Sequence, residues 1–295
     1  MNLSTKTKEE NLKELLKIKK RVEESNIPLA DFDYIHRYVE KNNLGMEVLN
    51  NYVDKLINGE PLQYIIGNVD FYGNIIYVNK DVLIPRFETE LLVEKTIKYI
   101  KSTFNKQVSV LDIGTGSGCI AITIAKNTSS KVDAVDISDS ALIVAKNNCI
   151  HNSVDINIFK SDIFSNVNKK YDVIISNPPY IAYDEEIMEI VKNNEPYTAL
   201  YASNNGLYFY DKILKECKDY LNDKFLIAFE IGYTQGNSIK ELSQKYLNNI
   251  DVWIEKDYSD KDRFVFIKSG SLSNSVWKWK FNKIKINLKY NLKII

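Results

Sequence analysis

Apolar positions from Leu12 to Ile57 recur at helical intervals. Leu12, Leu15 and Leu16, with Lys19 and Val22, form one stripe, and Phe32, Ile35, His36 and Val39 a second. Val48, Leu49, Tyr52, Val53, Leu56 and Ile57 form a third, which Asn58-Gly59 stops. Three amphipathic helices over residues 8–60 are predicted, a small bundle with one face left for a partner. Filling a core explains each stripe taken alone. From Asp70 to Leu83 the period shortens to two, and Phe71 to Val78 is predicted to form a β-hairpin around Gly73-Asn74. Pro85 to Glu90 opens another helix carrying Leu91, Leu92, Val93, Ile97 and Ile100, with Glu88 or Thr89 near its start.

Beyond Gln107 strands and helices alternate. Strands are predicted at 108–112, 131–136, 156–159, 173–176, 225–230, 252–254 and 264–267, with helices at 118–126 and 140–148. This rhythm predicts an α/β fold: a mostly parallel sheet covered by helices, with a late antiparallel pair at one edge. No internal repeat is visible.

Composition removes several classes. The 295 residues allow one large domain or two smaller ones. Thirty-nine basic and 39 acidic residues cancel, so no global field advertises nucleic acid or an anionic membrane. Cys119, Cys149 and Cys217 are far apart, with no CxxC pair and no clustered histidines, so neither a disulfide framework nor a metal site is expected. The amino-terminal segment is dense in lysine and glutamate and lacks an apolar core of signal-peptide length. No run approaches the roughly 18 apolar residues of a membrane span. The expectation is a soluble, reduced, cytoplasmic protein without a membrane partner.

Two segments carry chemistry. Asn177-Pro178-Pro179-Tyr180 follows the apolar run Tyr171 to Ser176, so a predicted strand ends in two prolines that stiffen the backbone. Such an elbow at a strand's carboxyl end is where an open α/β sheet places its ligand chemistry. It offers an amide, a bare carbonyl and an aromatic face, a set suited to gripping a planar –NH2 group. The second segment, Asp112-Ile113-Gly114-Thr115-Gly116-Ser117-Gly118, joins a strand to its helix. Glycines there let a ligand approach the backbone. Asp136 ends the next strand, where an acid can accept from ribose hydroxyls. The spacing is GxGxG rather than the dinucleotide GxGxxG. An acid before the first glycine suits the cation S-adenosylmethionine better than a pyrophosphate. After the third strand, Asp162 is placed to accept the adenine amino hydrogen while Ile163 packs on the ring. A helix cap is the simpler reading of Asp162 alone.

Methyl transfer to an amide or aromatic-amine nitrogen meets a delocalised lone pair. Accepting both N–H groups, by the Asn177 side-chain oxygen and the Pro178 carbonyl, would aim that nitrogen and stabilise its growing positive charge. Tyr180 would stack on the planar group. Adenine N6, cytosine N4 and a glutamine amide all fit this elbow, and the four residues do not choose among them.

Further segments do choose. Gly59-Glu60-Pro61-Leu62-Gln63-Tyr64-Ile65-Ile66-Gly67 with Phe71-Tyr72-Gly73, and Val82 to Glu90 with its Ile84-Pro85-Arg86 and Glu88-Thr89-Glu90, stand in order along the chain. Asn194 to Leu200 with Asn205-Gly206-Leu207, Glu230-Ile231-Gly232 with Gln235, and Lys256-Asp257 to Asp262-Arg263 follow. Over residues 8–268 the sequence resembles the HemK/PrmC-type release factor glutamine methyltransferases. The resemblance implies a class I (Rossmann-like) S-adenosylmethionine-dependent methyltransferase sheet at 85–268. A helical release-factor-recognition domain at 1–68 and a β-hairpin linker at 69–84 would precede it. It implies that Gly114, Thr115, Gly116, Ser117, Gly118, Asp136, Asp162 and Ile163, with Asn177, hold S-adenosylmethionine. Asn177, Pro178, Pro179 and Tyr180 would be catalytic and hold the glutamine of a Gly-Gly-Gln loop, with Arg86, Glu88 and Thr89 bordering the cleft. An ion-paired helix cap also accounts for those last three.

Two departures from the family pattern stand out. Phe87 replaces the usual second proline of the Ile84-Pro85-Arg86 segment. The tail 269–295 lies past the family's normal end, with six lysines, no acid, and Trp277, Trp279 and Phe281 alternating with Lys278 and Lys280. A weak contact with RNA is one use for it; disorder or an added edge strand is the expectation. Its deletion should leave methylation of free release factor intact. Two rivals remain: an adenine-N6 or cytosine-N4 methyltransferase of nucleic acid, and a non-enzymatic nucleoside-binding module.

Overall fold

A computed structural model describes residues 3–25 and 27–270. Residue contacts divide the chain into two units. One takes in the chain up to Gly67 and the segment Glu189–Asn194; the other runs from Asn68 to Met188 and resumes at Glu195.

The first unit is helical. It holds α1 (Leu3–Glu24), α2 (Leu29–Lys41), α3 (Gly45–Ile57) and the short α4 (Leu62–Ile66). Its core joins Ile18 and Val22 to Phe32, Ile35, Val39, Leu49, Val53, Leu56 and Ile65. Arg21 pairs with Asp54 and donates to Asn50 Oδ1 at 2.6 Å, clamping α1 to α3. The phase of α1 differs from the expected stripe: burial follows Leu15, Ile18 and Val22, whereas Leu12 and Leu16 are exposed. Both phases have helical spacing, and only the position of α3 decides between them.

The second unit opens with a hairpin, β1 (Asn68–Phe71) and β2 (Asn74–Tyr77). Tyr72 and Gly73 both have positive φ, 52° and 75°, and Asn74 pairs with Phe71. The turn is therefore Tyr72-Gly73, one residue earlier than expected, with positive φ at both central positions; buried Asn74 is held in β2 by its bonds to Phe71 O and to Thr123 Oγ1. Read from the sequence as a linker, the hairpin is bonded into this unit. Asn148 exchanges hydrogen bonds with the Tyr77 backbone at 2.8 and 2.9 Å, and Asn74 Nδ2 donates to Thr123 Oγ1 at 3.2 Å.

After α5 (Phe87–Thr103) the chain alternates as expected through β3 (Ser109–Ile113), α6 (Cys119–Asn127), β4 (Lys131–Asp136), α7 (Asp139–His151), β5 (Asn157–Lys160) and β6 (Tyr171–Ser176). The short helices α8 (Glu189–Asn194) and α9 (Tyr197–Leu200) follow, α8 belonging to the helical unit. Then come α10 (Tyr208–Glu216), β7 (Leu221–Glu230), α11 (Gly236–Tyr246), β8 (Ile250–Lys256) and β9 (Asp262–Ser269). The sheet order is β5-β4-β3-β6-β7-β9-β8, parallel from β5 through β7, with β9 antiparallel to both neighbours. The helices α4, α8, α9, α10 and α11 have no counterpart in the predicted pattern.

Leu111, Ile113, Val135, Ile174, Ile227 and Phe229 pack with Tyr210, Ile213, Leu214 and Ile239 of α10 and α11. The alternating residues Val110, Ala134, Val173 and Ala228 are equally buried, so these strands are covered on both faces and read as unbroken apolar runs. The tail boundary moves: Ser269 closes β9 opposite Ile250, and Gly270 N–H donates to Asn249 O at 2.7 Å. Residues 271–295, with Trp277, Trp279 and Phe281, lie outside the described residues.

Candidate active site

β3 pairs with β4 on one side and β6 on the other, so successive connections leave β3 in opposite directions and open a crevice at its carboxyl end. The glycine loop leaves β3 there, Asp136 ends β4 and the proline elbow leaves β6. Ile113 lies opposite Ser176, whose Oγ donates to Ile113 O at 2.7 Å, holding loop and elbow side by side.

Gly114, Gly116 and Gly118 have φ of 72°, 54° and 82°. A Cβ built on Gly114 or Gly116 meets nothing within 4 Å, so the backbone there faces open space. Thr115 Oγ1 donates to Asp112 Oδ2 at 2.7 Å. Asp112 Oδ1 is buried and has no partner among the described residues, and burial pushes this carboxyl up to about 7. Asp136 accepts from Gly116 N–H and Ser138 N–H, both at 2.9 Å, which ties the second strand end to the loop. Burial raises its pKa against those bonds. An open glycine cradle, an orphaned buried carboxylate oxygen and an anchored second acid form a donor set that fits a cationic nucleoside such as S-adenosylmethionine. Ser117 is buried; its carbonyl accepts from Asn148 Nδ2 at 2.9 Å, so it braces the loop from behind.

The pair expected at the adenine ring, Asp162 and Ile163, follows β5. Ile163 sits in the left-handed region at φ 53° and its side chain belongs to the hydrophobic core. Asp162 Oδ2 is engaged by Lys212 Nζ at 2.8 Å.

The elbow itself is pinned at both ends. Asn177 Nδ2 donates to Thr89 Oγ1 at 3.1 Å, and Thr89 donates to Glu230 Oε2 at 2.7 Å. Pro178 is buried, while Asn177, Pro179 and Tyr180 are half-buried. Tyr180 O accepts from Gln235 Nε2 at 2.9 Å, and Gln235 also reaches Asn205 O and accepts from Gly232 N–H. A Cβ on Gly206 would stand 2.0 Å from Tyr180 O, so only glycine lets this turn close on the elbow. Burial, with Glu230 nearby, pushes the Tyr180 phenol up, keeping the ring neutral.

Arg86 does not stand free at the cleft. It caps the start of α5 in extended conformation, and its guanidinium pairs with Glu195, whose other oxygen accepts from Ile84 N–H at 3.0 Å. Arg86 and Glu88 remain close enough for their charges to act on the Tyr180 phenol. Phe87, in place of the family proline, begins the helix and stacks on Tyr258 at 5.9 Å. Glu195, Gly206, Glu230 and Gln235 all hold this site, yet sequence reasoning gave them no task. Their signal was only a place in the segments that carry the family resemblance; the partner of Glu230 on α5 lies 141 residues away and the Tyr180 carbonyl lies 55 residues from Gln235.

A family model described as the methyltransferase small domain matches residues 88–195. The release factor glutamine methyltransferase of Streptococcus pneumoniae is 39% identical over 83% of this chain and 88% of its own length. The protein of the same name from Fusobacterium nucleatum is 38% identical over 89% of this chain and 80% of its own. Among solved structures, a methyltransferase from Pyrococcus furiosus superposes with a TM-score of 0.50 at 22% identity, over 68% of this chain and 90% of that one.

Proposed function

The chain belongs to the family of release factor glutamine methyltransferases, and from that premise we propose that it transfers a methyl group from S-adenosylmethionine to the side-chain amide nitrogen of the glutamine in the Gly-Gly-Gln loop of peptide chain release factors. The observation that carries this reading is the juxtaposition on β3 and β6 of an open glycine cradle and an asparagine-proline elbow. The bound cofactor supplies an electrophilic methyl on a sulfonium.

The chain's own residues supply position and polarity. Asn177 Oδ1 and the Pro178 carbonyl accept the two amide N–H bonds, which orients the nitrogen and stabilises the charge that develops on it. Tyr180, held through its own carbonyl by Gln235, stacks on the amide plane. As the N–C bond forms, the S–C bond breaks with its electron pair left on sulfur, and the proton, acidic only once the nitrogen is alkylated, passes to water. Asp136 would accept from the ribose hydroxyls, and the backbone at Gly114 to Gly118 would line the cofactor. Arg86 and Glu195 tie together the two segments that flank the cleft. The helical unit recognises the release factor, and the reaction takes place in the cytoplasm, where release factors work.

Mass spectrometry of the Gly-Gly-Gln peptide after reaction of the whole release factor tests this, with one added methyl on the glutamine as the expected result. A parallel reaction with labelled cofactor and DNA separates the alternative: label in nucleic acid and none in release factor refutes the assignment.

A further inference from the structure

An asparagine side chain can turn either its oxygen or its NH2 toward a cleft, and only the oxygen serves the chemistry above. Resting on that reading, we infer that Thr89 and Glu230 are positioning residues that hold the Asn177 NH2 inward and thereby aim Oδ1 at the glutamine amide. The direction of the relay follows from proton counting. Thr89 Oγ1 lies 2.7 Å from Glu230 Oε2 and 3.1 Å from Asn177 Nδ2. A hydroxyl has one proton, and a carboxylate can only accept. The Thr89 proton therefore goes to Glu230, and toward Asn177 Thr89 can only accept. A nitrogen, not an oxygen, must face it. The bond to Thr89 thus turns the NH2 into the protein. Oδ1 takes no partner among the described residues.

Thr89 and Glu230 are 3% and 1% exposed, so water does not substitute for either. The relay joins the first turn of α5 and the ends of β6 and β7. Other titratable or charged groups around Glu230 are Glu88 of α5, Cys119 of α6, Tyr180 of the elbow, Tyr210 of α10 and Arg263 of β9. Tyr210 Oη donates to the Glu230 backbone carbonyl at 2.7 Å. Burial pushes the Cys119 thiol up to about 12 and raises both phenols, so these three stay neutral. Burial first, and Glu88 after it, push the Glu230 carboxyl up to about 7; Thr89, Arg263 and Asn177 oppose the rise. A protonated Glu230 offers its own hydrogen to Thr89 and competes with the Asn177 NH2. The relay is set in the ionised form and loosens as pH falls through that value.

Two measurements test the inference. Thr89→Val should lower kcat about ten- to a hundredfold, with cofactor affinity by calorimetry unchanged, and Thr89→Ser should restore turnover. The wild-type rate should rise with pH through about 7, and this limb should vanish in Glu230→Gln. Independently of turnover, the side-chain amide resonances of Asn177, identified by their loss in Asn177→Asp, should shift with the same midpoint in wild type and not in Glu230→Gln. Wild-type turnover by Thr89→Val, or Asn177 resonances indifferent to Glu230, would overturn the inference. If the wild type methylates no glutamine while Asn177 still titrates with Glu230, the assigned reaction fails and the relay stands.

Discussion

Asn177 is where the proposed chemistry concentrates, and its environment divides its two ends. The NH2 is committed to Thr89, while the oxygen is left for a ligand. Asn177→Ala removes the acceptor that acts on developing charge, and kcat for glutamine methylation should fall about 10²- to 10³-fold; single-turnover measurements with saturating cofactor check this. An unchanged rate would mean that the elbow takes no part in the transfer, as the nucleoside-binding reading requires. Gly206 offers a second residue-level test. A Cβ there stands 2.0 Å from the Tyr180 carbonyl, a backbone atom, and φ is 78°. Gly206→Ala should therefore displace the elbow, lowering stability by about 1–3 kcal/mol and turnover with it, as thermal unfolding and kinetics would show. The motif residues Asn177, Pro178, Pro179, Tyr180 and Gly114 to Gly118 were legible in the sequence because each is a local device, a stiff turn or a glycine cradle. Glu230 and Gln235 were not, because a buried acid or amide has meaning only through partners distant in sequence.

Elements carry these residues into place. The first turn of α5 holds Thr89 beneath the elbow, and its entry is fixed by Glu195, which accepts from Ile84 N–H and pairs with Arg86. Glu195→Ala leaves a buried N–H and a half-buried guanidinium without their acceptor. A stability loss of about 2–3 kcal/mol is expected, with a smaller fall in kcat than Asn177→Ala produces; denaturant unfolding at neutral pH is the measurement. Element type was largely legible, since strands covered on both faces read as apolar runs and the amino-terminal helices read as stripes. Phase and end points were not. Burial in α1 follows Ile18 and Val22 rather than Leu12 and Leu16, and the hairpin turns at Tyr72-Gly73. In each case two registers satisfy the local pattern and a neighbouring element selects one.

At the scale of the molecule, two buried carboxyls shape the response to pH. Asp112 and Glu230 are raised by burial from ordinary values of 3.8 and 4.5 to about 7. In this window the folded protein holds protons that the unfolded chain has released, so stability should decline as pH rises from about 4 to about 7 and level off above it. Asp172, Glu255 and Asp257 are lowered and act the other way, but only at the acid end. Glu230→Gln should flatten the decline by on the order of 3 kcal/mol, as denaturant melts across that range would record. The helical unit permits a separate test of the proposed recognition role. Leu12 and Leu16 are exposed on α1; Leu12→Glu should raise KM for whole release factor about tenfold and leave transfer to a Gly-Gly-Gln peptide unchanged. Among the described residues no helix is long and apolar enough to cross a membrane.

The sequence by itself determined the parts whose physics is local: the alternation that makes a parallel sheet, the glycine loop, the acid at the end of β4 and the proline elbow. It also pointed, through ordered resemblance, to the family to which the chain belongs. Tertiary structure alone decided how those parts are held. The partner of Asn177 lies 88 residues away on α5 and that of Thr89 141 residues away on β7. Arg86 pairs with Glu195, and Ile163 joins the hydrophobic core. The reason is physical. Backbone conformation follows from neighbouring residues, whereas the direction of a buried hydrogen bond depends on which distant group the fold brings against it.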